Sequence, residues 1–236
     1  MDSIAVIPAR KGSKRIPKKN IKLLAGKPAI AYSIESALKS DLFKKVIVTT
    51  DDPEIAEISL EYGAEVPFFR SADLSDDFTI TVDVIADAIL KLERNGEIFQ
   101  YACCIYPVTP LLRVERLIEA AEILKSEAWD YVFPAIEFPT PPERGFRKKE
   151  SGEVEFRYPE FANTRTQDIK KTFHDAGQFY FGKTEAWINK RPLLNGNNTF
   201  IELSKNETID IDDFEDWLLL EKMLAVEPQT RDHRSI

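Results

Sequence analysis

The 236-residue sequence is poor in the side chains that most often carry redox and soft-metal chemistry, with two cysteines, two histidines and two methionines. The cysteines are neighbours, Cys103 and Cys104. Adjacent residues make a geometrically poor disulfide, which excludes a disulfide-stapled framework and makes a reducing cytoplasm the expected compartment. Neither Cys-x-x-Cys nor His-x-x-x-His spacing occurs, so any metal is expected to be a hard cation on carboxylates. With only His174 and His233 available and no Ser/His/Asp pattern, a His-dependent nucleophilic mechanism has little to draw on. No apolar run reaches the roughly 18 residues of a membrane helix. The run from Ile4 to Ala9 is too short for a signal segment and precedes a basic cluster, so neither a leader nor a membrane partner is expected. A net charge of −8 argues against a nucleic-acid partner, because coating phosphate requires a net basic face.

Apolar residues make up 43% and charged residues 31%, enough to build a core. The expectation is a single domain over residues 1–226, with a polar, frayed tail over 227–236. The charge is unevenly placed. Residues 1–30 hold Arg10, Lys11, Lys14, Arg15, Lys18, Lys19, Lys22 and Lys27 against Asp2 alone, a local +7 that leaves −15 for the rest.

Short apolar runs alternate with helix-spaced stripes. Ile4 to Ile7 and Val46 to Val48 read as buried strands, and Val66 to Phe69 as a third, shorter one. Ile30, Ile34, Ala37 and Leu38 share a helical face. Asp52-Pro53 supplies an N-cap and an N1 proline for a helix that Gly63 can end. Further on come a helix carrying Val82, Ile85, Ile89 and Leu92, a strand from Ala102 to Tyr106, a helix carrying Leu117, Ala120, Ala121 and Leu124, and a strand over Tyr131 to Phe133. This order predicts an α/β fold, a doubly wound, mainly parallel Rossmann-like sheet. The rhythm breaks between about residues 139 and 171, where Pro139, Pro141, Pro142 and Pro159 punctuate an inserted arm with a turn at Ser151-Gly152. Strands are expected again over Gly177 to Phe181 and Thr199 to Leu203, and a last helix from Phe214 to about Ala225.

Ligands of open parallel sheets sit beyond the carboxyl ends of the strands. The segment from Ile7 to Asn20 is a basic loop placed there, with Gly12 to let the backbone approach a polyphosphate; a solvated basic turn is the alternative. It is neither a Walker A loop nor a Gly-x-Gly-x-x-Gly dinucleotide loop. Asp210-x-Asp212 puts two carboxylates at strand spacing on one side, a donor pair suited to Mg²⁺, unless Asp212 or Asp213 merely caps the last helix.

The order Ile-Pro-Ala-Arg, Gly-Ser-Lys, Ile-Pro, Lys-Asn within residues 7–20 resembles the signature of the CMP-sialic acid synthetase family, which activates acidic nine-carbon sugars. Thr50-Asp51-Asp52, Phe69-Arg70, Leu74-Ser75-Asp76-Asp77, Tyr106-Pro107-Val108-Thr109-Pro110-Leu111 and Ile209-Asp210-Ile211-Asp212 extend the resemblance over about residues 4–222. Arg165-Thr166-Gln167-Asp168 and His174 to Tyr180 look closer to the family's pseudaminic acid branch than to its N-acetylneuraminic acid branch. Two positions depart from the pattern: Lys11 stands where a second glycine is usual, and Tyr106 where glutamine is usual. The Gln-Gly-Asp signature of ketodeoxyoctonate activators and the Gly-x-Gly-Thr-Arg loop of sugar-1-phosphate nucleotidylyltransferases are absent.

The resemblance implies a nucleotide-diphospho-sugar transferase type of fold and a cytidylyltransferase. In that reaction the anomeric hydroxyl of pseudaminic acid attacks the α-phosphorus of CTP and releases pyrophosphate. N-acetylneuraminic or legionaminic acid is the alternative substrate, and a non-catalytic nucleotide-binding regulator the alternative of another class. It also implies that Ala9, Arg10, Gly12, Ser13, Lys14, Lys19, Asn20, Arg70 and Thr81 line the nucleotide side, that Arg10 and Lys19 stabilise the leaving group, and that Asp210 and Asp212 hold Mg²⁺. Tyr106, Arg165, Gln167, His174, Gln178 and Tyr180 fall to the sugar. Arg165 offers a bidentate fork to a carboxylate, while the bland reading of the others is a strand with two faces beside a surface histidine. The arm is expected to make a homodimer and to help complete the neighbour's sugar pocket.

Overall fold

The computed structural model describes residues 1–76, 78–126 and 128–226; the expected tail 227–236 and Asp77 lie outside them. The chain opens with β1 (Ser3–Pro8), the two-residue strands β2 (Leu23–Leu24) and β3 (Lys27–Pro28), α1 (Ala29–Lys39), β4 (Lys45–Thr49) and α2 (Pro53–Glu61). There follow α3 (Thr81–Arg94), β5 (Tyr101–Ile105), α4 (Val114–Ser126) and β6 (Tyr131–Glu137). After the arm strands β7 (Phe146–Lys148) and β8 (Val154–Phe156) come β9 (Phe173–Asp175), β10 (Phe179–Lys183), α5 (Thr184–Ile188), β11 (Asn198–Glu202) and α6 (Phe214–Val226).

The main sheet runs β11-β6-β10-β5-β1-β4, with β9 also paired to β6. β4, β1, β5, β6 and β11 point one way; β10 and β9 run against their neighbours. The mainly parallel reading holds, and the reversed pair is the feature it did not include. Helices cover both faces, which is why the central strands read as continuous apolar runs. Ala5, Ile7, Val48, Cys103 and Ile105 pack with Ile30, Ile34, Leu117 and Leu124 on one face. Ile4, Val6, Ile47 and Cys104 pack with Ile85, Ile89 and Trp187 on the other. Strand alternation therefore sends the two thiols to opposite sides, and their burial pushes both thiol pKa values up.

Local signals acted as expected where they were strong. Asp52 caps α2 by accepting from Glu54 N at 2.8 Å, with Pro53 at N1, and Gly63 takes φ +90° just beyond the helix. Other stretches differ from the expectation. Residues 66–69 are not a strand: only isolated bridges, Ile47 to Glu65 and Thr50 to Phe69, tie that stretch to β4. Asp210 and Asp212 lie, as expected, between the last strand and the last helix, in the connection from β11 to α6. β9 and α5 were unforeseen. β10 enters the sheet at Gly182, where a Cβ would come within 2.6 Å of two Tyr131 ring carbons, so close approach requires glycine.

The arm contains the β7–β8 hairpin turning at Gly152, φ +92°. Arg144 organises its return, one guanidinium nitrogen donating to the carbonyls of Phe161, Ala162 and Thr164 at 3.1–3.3 Å. A third apolar cluster positions the site: Ile16 from the basic loop packs with Leu24, Leu111, Ile211, Trp217 and Leu220.

Candidate functional site

A cleft of about 510 Å³ opens at the carboxyl end of β1, between the basic loop, the start of α3 and the segment before α6. Its lining brings together Arg10, Gly12, Ser13, Lys14, Lys19, Asn20, Arg70, Thr81, Tyr106 and Asp212, which are far apart in the chain. Each is anchored. Asn20 is buried and donates to Arg10 O at 2.9 Å, tying the two ends of the loop. Arg10 reaches Asp76 O at 2.8 Å, and the Lys11 amide donates to Asp51 Oδ1 at 3.0 Å. Lys19 donates to Ile211 O at 3.0 Å, joining loop and α6 connection across 192 residues.

Electrostatically the cleft holds desolvated cations. Arg70 is 6% exposed; its Nε donates to Ser75 Oγ at 3.2 Å, while Nη2 has no hydrogen-bond partner among the described residues and sits 3.8 Å from Asp51. Burial pulls its pKa down against the pull of Asp51. Burial and Arg15 likewise lower the Lys19 pKa, with Asp210 and Asp212 opposing. Such groups are paired poorly by protein and strongly by an anion: at about 4 Å and an effective dielectric near 20, one cation–phosphate pair contributes on the order of 4 kcal/mol. The Tyr106 hydroxyl, 3.3 Å from Thr81 Oγ1, has its pKa raised by burial. It is a neutral donor on the far wall.

The alternation around Ile211 explains the two carboxylates. Ile211 is buried in the third cluster, so Asp210 and Asp212 are turned outward, Asp212 to the cleft and to Arg15 Nη1 at 2.6 Å. Asp213 caps α6, accepting from Glu215 N and Asp216 N, which leaves its neighbour free of that duty. No group of three or more His, Cys, Asp or Glu able to hold a metal occurs among the described residues. Asp212 lines the cleft and Asp210 does not; as hard oxygen donors the two carboxylates suit by their chemistry a small hard cation that keeps waters and takes its other ligands from phosphate.

The remaining predicted residues lie elsewhere. Ala9 is fully buried and its amide donates to Thr49 O, so it backs the cleft without lining it. Arg165 is exposed on the arm, forked onto Asp168 at 2.8 and 3.2 Å, with Gln167 exposed beside it. His174 is an exposed β9 residue whose ring lies tilted against Phe138 at 4.6 Å, its Nδ1 2.9 Å from Asp175 O. Tyr180 is buried in the sheet, donating to Asp175 Oδ2 at 2.7 Å and meeting the Tyr106 ring edge-on at 6.3 Å. Gln178 is buried too, its Nε2 donating to Glu207 O at 2.6 Å. Sequence reasoning did not place Arg15, Asp76 and Thr79 in the cleft. For Asp76 the available signal was its turn: its Oδ1 accepts from Phe78 N and Thr79 N just before α3.

A helix-flanked, mainly parallel sheet with a cationic cleft at its carboxyl edge defines an anion-binding protein of the doubly wound α/β class. The cytidylyltransferase family model matches residues 4–223, and the chain belongs to that family. It is 40% identical over 216 residues to a pseudaminic acid cytidylyltransferase of Campylobacter jejuni, covering 92% of this chain and 93% of that one. It is 31% identical over 233 residues to a CMP-N,N'-diacetyllegionaminic acid synthase of Legionella pneumophila, covering 96% and 97%. In fold it is similar to a CMP:2-keto-3-deoxy-manno-octonic acid synthetase solved in complex with CTP, with a TM-score of 0.73 over 96% of this chain and 100% of that one, at 18% identity.

Proposed function

We propose that this chain joins CTP and pseudaminic acid to give CMP-pseudaminic acid and pyrophosphate. The observation that carries the reading is the convergence of Arg10, Lys19 and Arg70 on one cleft in a chain 40% identical to a pseudaminic acid cytidylyltransferase. The anomeric oxygen of the sugar forms a bond to the α-phosphorus, and the bond from that phosphorus to the bridging oxygen breaks. Its electron pair leaves with pyrophosphate, and the hydroxyl proton passes to solvent. Charge grows on the leaving phosphates, where fixed cations in a water-poor cleft are worth most. Arg10 and Lys19 take that role, with the Gly12–Lys14 backbone and side chains, Asn20, Arg70 and Thr81 seating the nucleotide. Ala9 supports them from below.

Asp210 and Asp212 are the residues that would hold Mg²⁺, which when bound supplies charge neutralisation at the phosphates and a lower pKa for the attacking hydroxyl. The sugar meets Tyr106 first. Residues 139–171 are a dimerisation arm on the single domain 1–226, and Arg165 and Gln167 serve the sugar site of the partner. Phe146 and Val154, apolar and about two-thirds exposed on the hairpin, support that reading. His174 and Tyr180 shape the same end of the sheet. No helix among the described residues is long and apolar enough to cross a membrane, and the compartment we assign is the cytoplasm.

Pyrophosphate release from CTP with pseudaminic, legionaminic and N-acetylneuraminic acids tests the function. Preferential reaction with pseudaminic acid is expected. Preference for either other acid reassigns the substrate, and no release with any of them makes the chain a nucleotide-binding regulator.

A further inference from the structure

Among the described residues, the most deeply buried carboxylate outside the cleft is Glu207, 3% exposed, in the connection between β11 and α6. Both its oxygens are engaged by Arg116 of α4, Nε and Nη2 each at 2.9 Å, and Oε2 also accepts from Ser204 N at 2.9 Å. Arg113 adds a second cation at 3.7 Å. The same residue is held through its backbone, where its carbonyl accepts from buried Gln178 Nε2 at 2.6 Å. One residue on, Thr208 Oγ1 donates to Ala176 O at 2.8 Å. These bonds fix a segment without regular structure to α4 and to the kink between β9 and β10. The fixed segment leads directly into Asp210, Ile211 and Asp212, and Ile211 O is where Lys19 is anchored.

We infer that Glu207 is a positioning residue for the cleft: with Gln178 and Thr208 it braces the segment 208–212, so that Lys19 and the two carboxylates are held at the cleft mouth. This rests on the proposed roles of Asp210, Asp212 and Lys19. It also gives Gln178 a duty distinct from touching the sugar. A doubly bonded ion pair with a buried carboxylate suits such a task because its geometry is directional and breaking it leaves Ser204 N without its acceptor and Arg116 with Glu119 alone.

The experiment compares wild type, Glu207→Gln and the milder Thr208→Val by amide hydrogen exchange, by CTP affinity, and by Mn²⁺ binding in the presence of CTP followed by electron paramagnetic resonance. Faster exchange confined to about residues 204–213 is expected in both variants. In Glu207→Gln, Mn²⁺ affinity should fall by roughly 10-fold to 100-fold, the range for outer partners of metal ligands, with a smaller loss for CTP. Wild-type exchange in that segment together with wild-type affinities overturns the proposal, even if Glu207→Gln lowers the melting temperature. If Glu207→Gln does not fold, Thr208→Val decides on the same three readouts. If wild type itself binds no Mn²⁺ with CTP, the metal assignment fails, and exchange and CTP affinity still decide the brace.

Discussion

The cleft and the arm present similar side chains in opposite situations. Arg10 and Lys19 from the basic loop and Arg70 from the segment between α2 and α3 are held by Asp76 O, Ile211 O and Ser75 Oγ, and face one cavity. Arg165, with a side chain 73% exposed, is satisfied by Asp168 three residues away and faces no cavity of its own subunit that contains the cleft residues. A cation held by a distant contact is preorganised for a ligand, whereas one held by a local exposed ion pair exchanges partners at little cost, since such pairs contribute about 0–1 kcal/mol. Under the proposed function, the nucleotide side is built by the fold of one chain, and the arm of a second copy is the proposed source of the rest of the sugar side.

The largest expected effect tests the cleft. Asp212→Asn should lower turnover by about 10²- to 10³-fold, the scale for removing one preorganised charge partner at a reacting phosphate, with the melting temperature little changed because the side chain is 54% exposed. Wild-type turnover at limiting Mg²⁺ would remove Asp212 from the site. Next comes the arm: Arg165→Lys should raise KM for the acidic sugar by roughly tenfold and leave KM for CTP near wild type, because lysine lacks the planar fork. Equal losses on both substrates would make Arg165 structural and erase the contrast between the two regions. Smallest is Tyr106→Phe, which removes the hydroxyl facing Thr81 and keeps the ring against Tyr180. A loss of about 1 kcal/mol in sugar kcat/KM, with CTP binding unaffected, is expected; a loss in CTP binding instead would place Tyr106 on the nucleotide wall.

The acidity of the molecule follows the same division. Glu207, bonded to Arg116, has its pKa lowered to about 2 from the ordinary 4.5. A depressed carboxylate contributes stability above its unfolded value, and that contribution is lost as pH falls from about 4.5 toward 2. The braced connection before α6 is therefore expected to loosen in that window.

Much of this was legible in the sequence for definite reasons. Strands covered on both faces are apolar throughout, so Ile4 to Ile7, Val46 to Val48 and Ala102 to Tyr106 declared themselves. Asp52-Pro53 carried its own capping chemistry. The basic loop stood out because eight cations in thirty residues contradict an acidic chain. The sequence alone could also offer Asp-x-Asp, though not decide between capping and binding. Tertiary structure assigned the cap: burial of Ile211 against Ile16 and Trp217 turns the flanking carboxylates outward, and Asp213 caps α6, while metal binding by Asp210 and Asp212 stands as the proposal. Long-range contacts likewise reversed β10, left residues 66–69 with only bridge contacts at the sheet edge, and tied Gln178 to Glu207 across 29 residues. Local chemistry selects caps, turns and apolar runs because those depend on neighbours a few residues away. Which charge is buried, which is shared and which faces a cleft depends on partners the chain supplies only after it has folded.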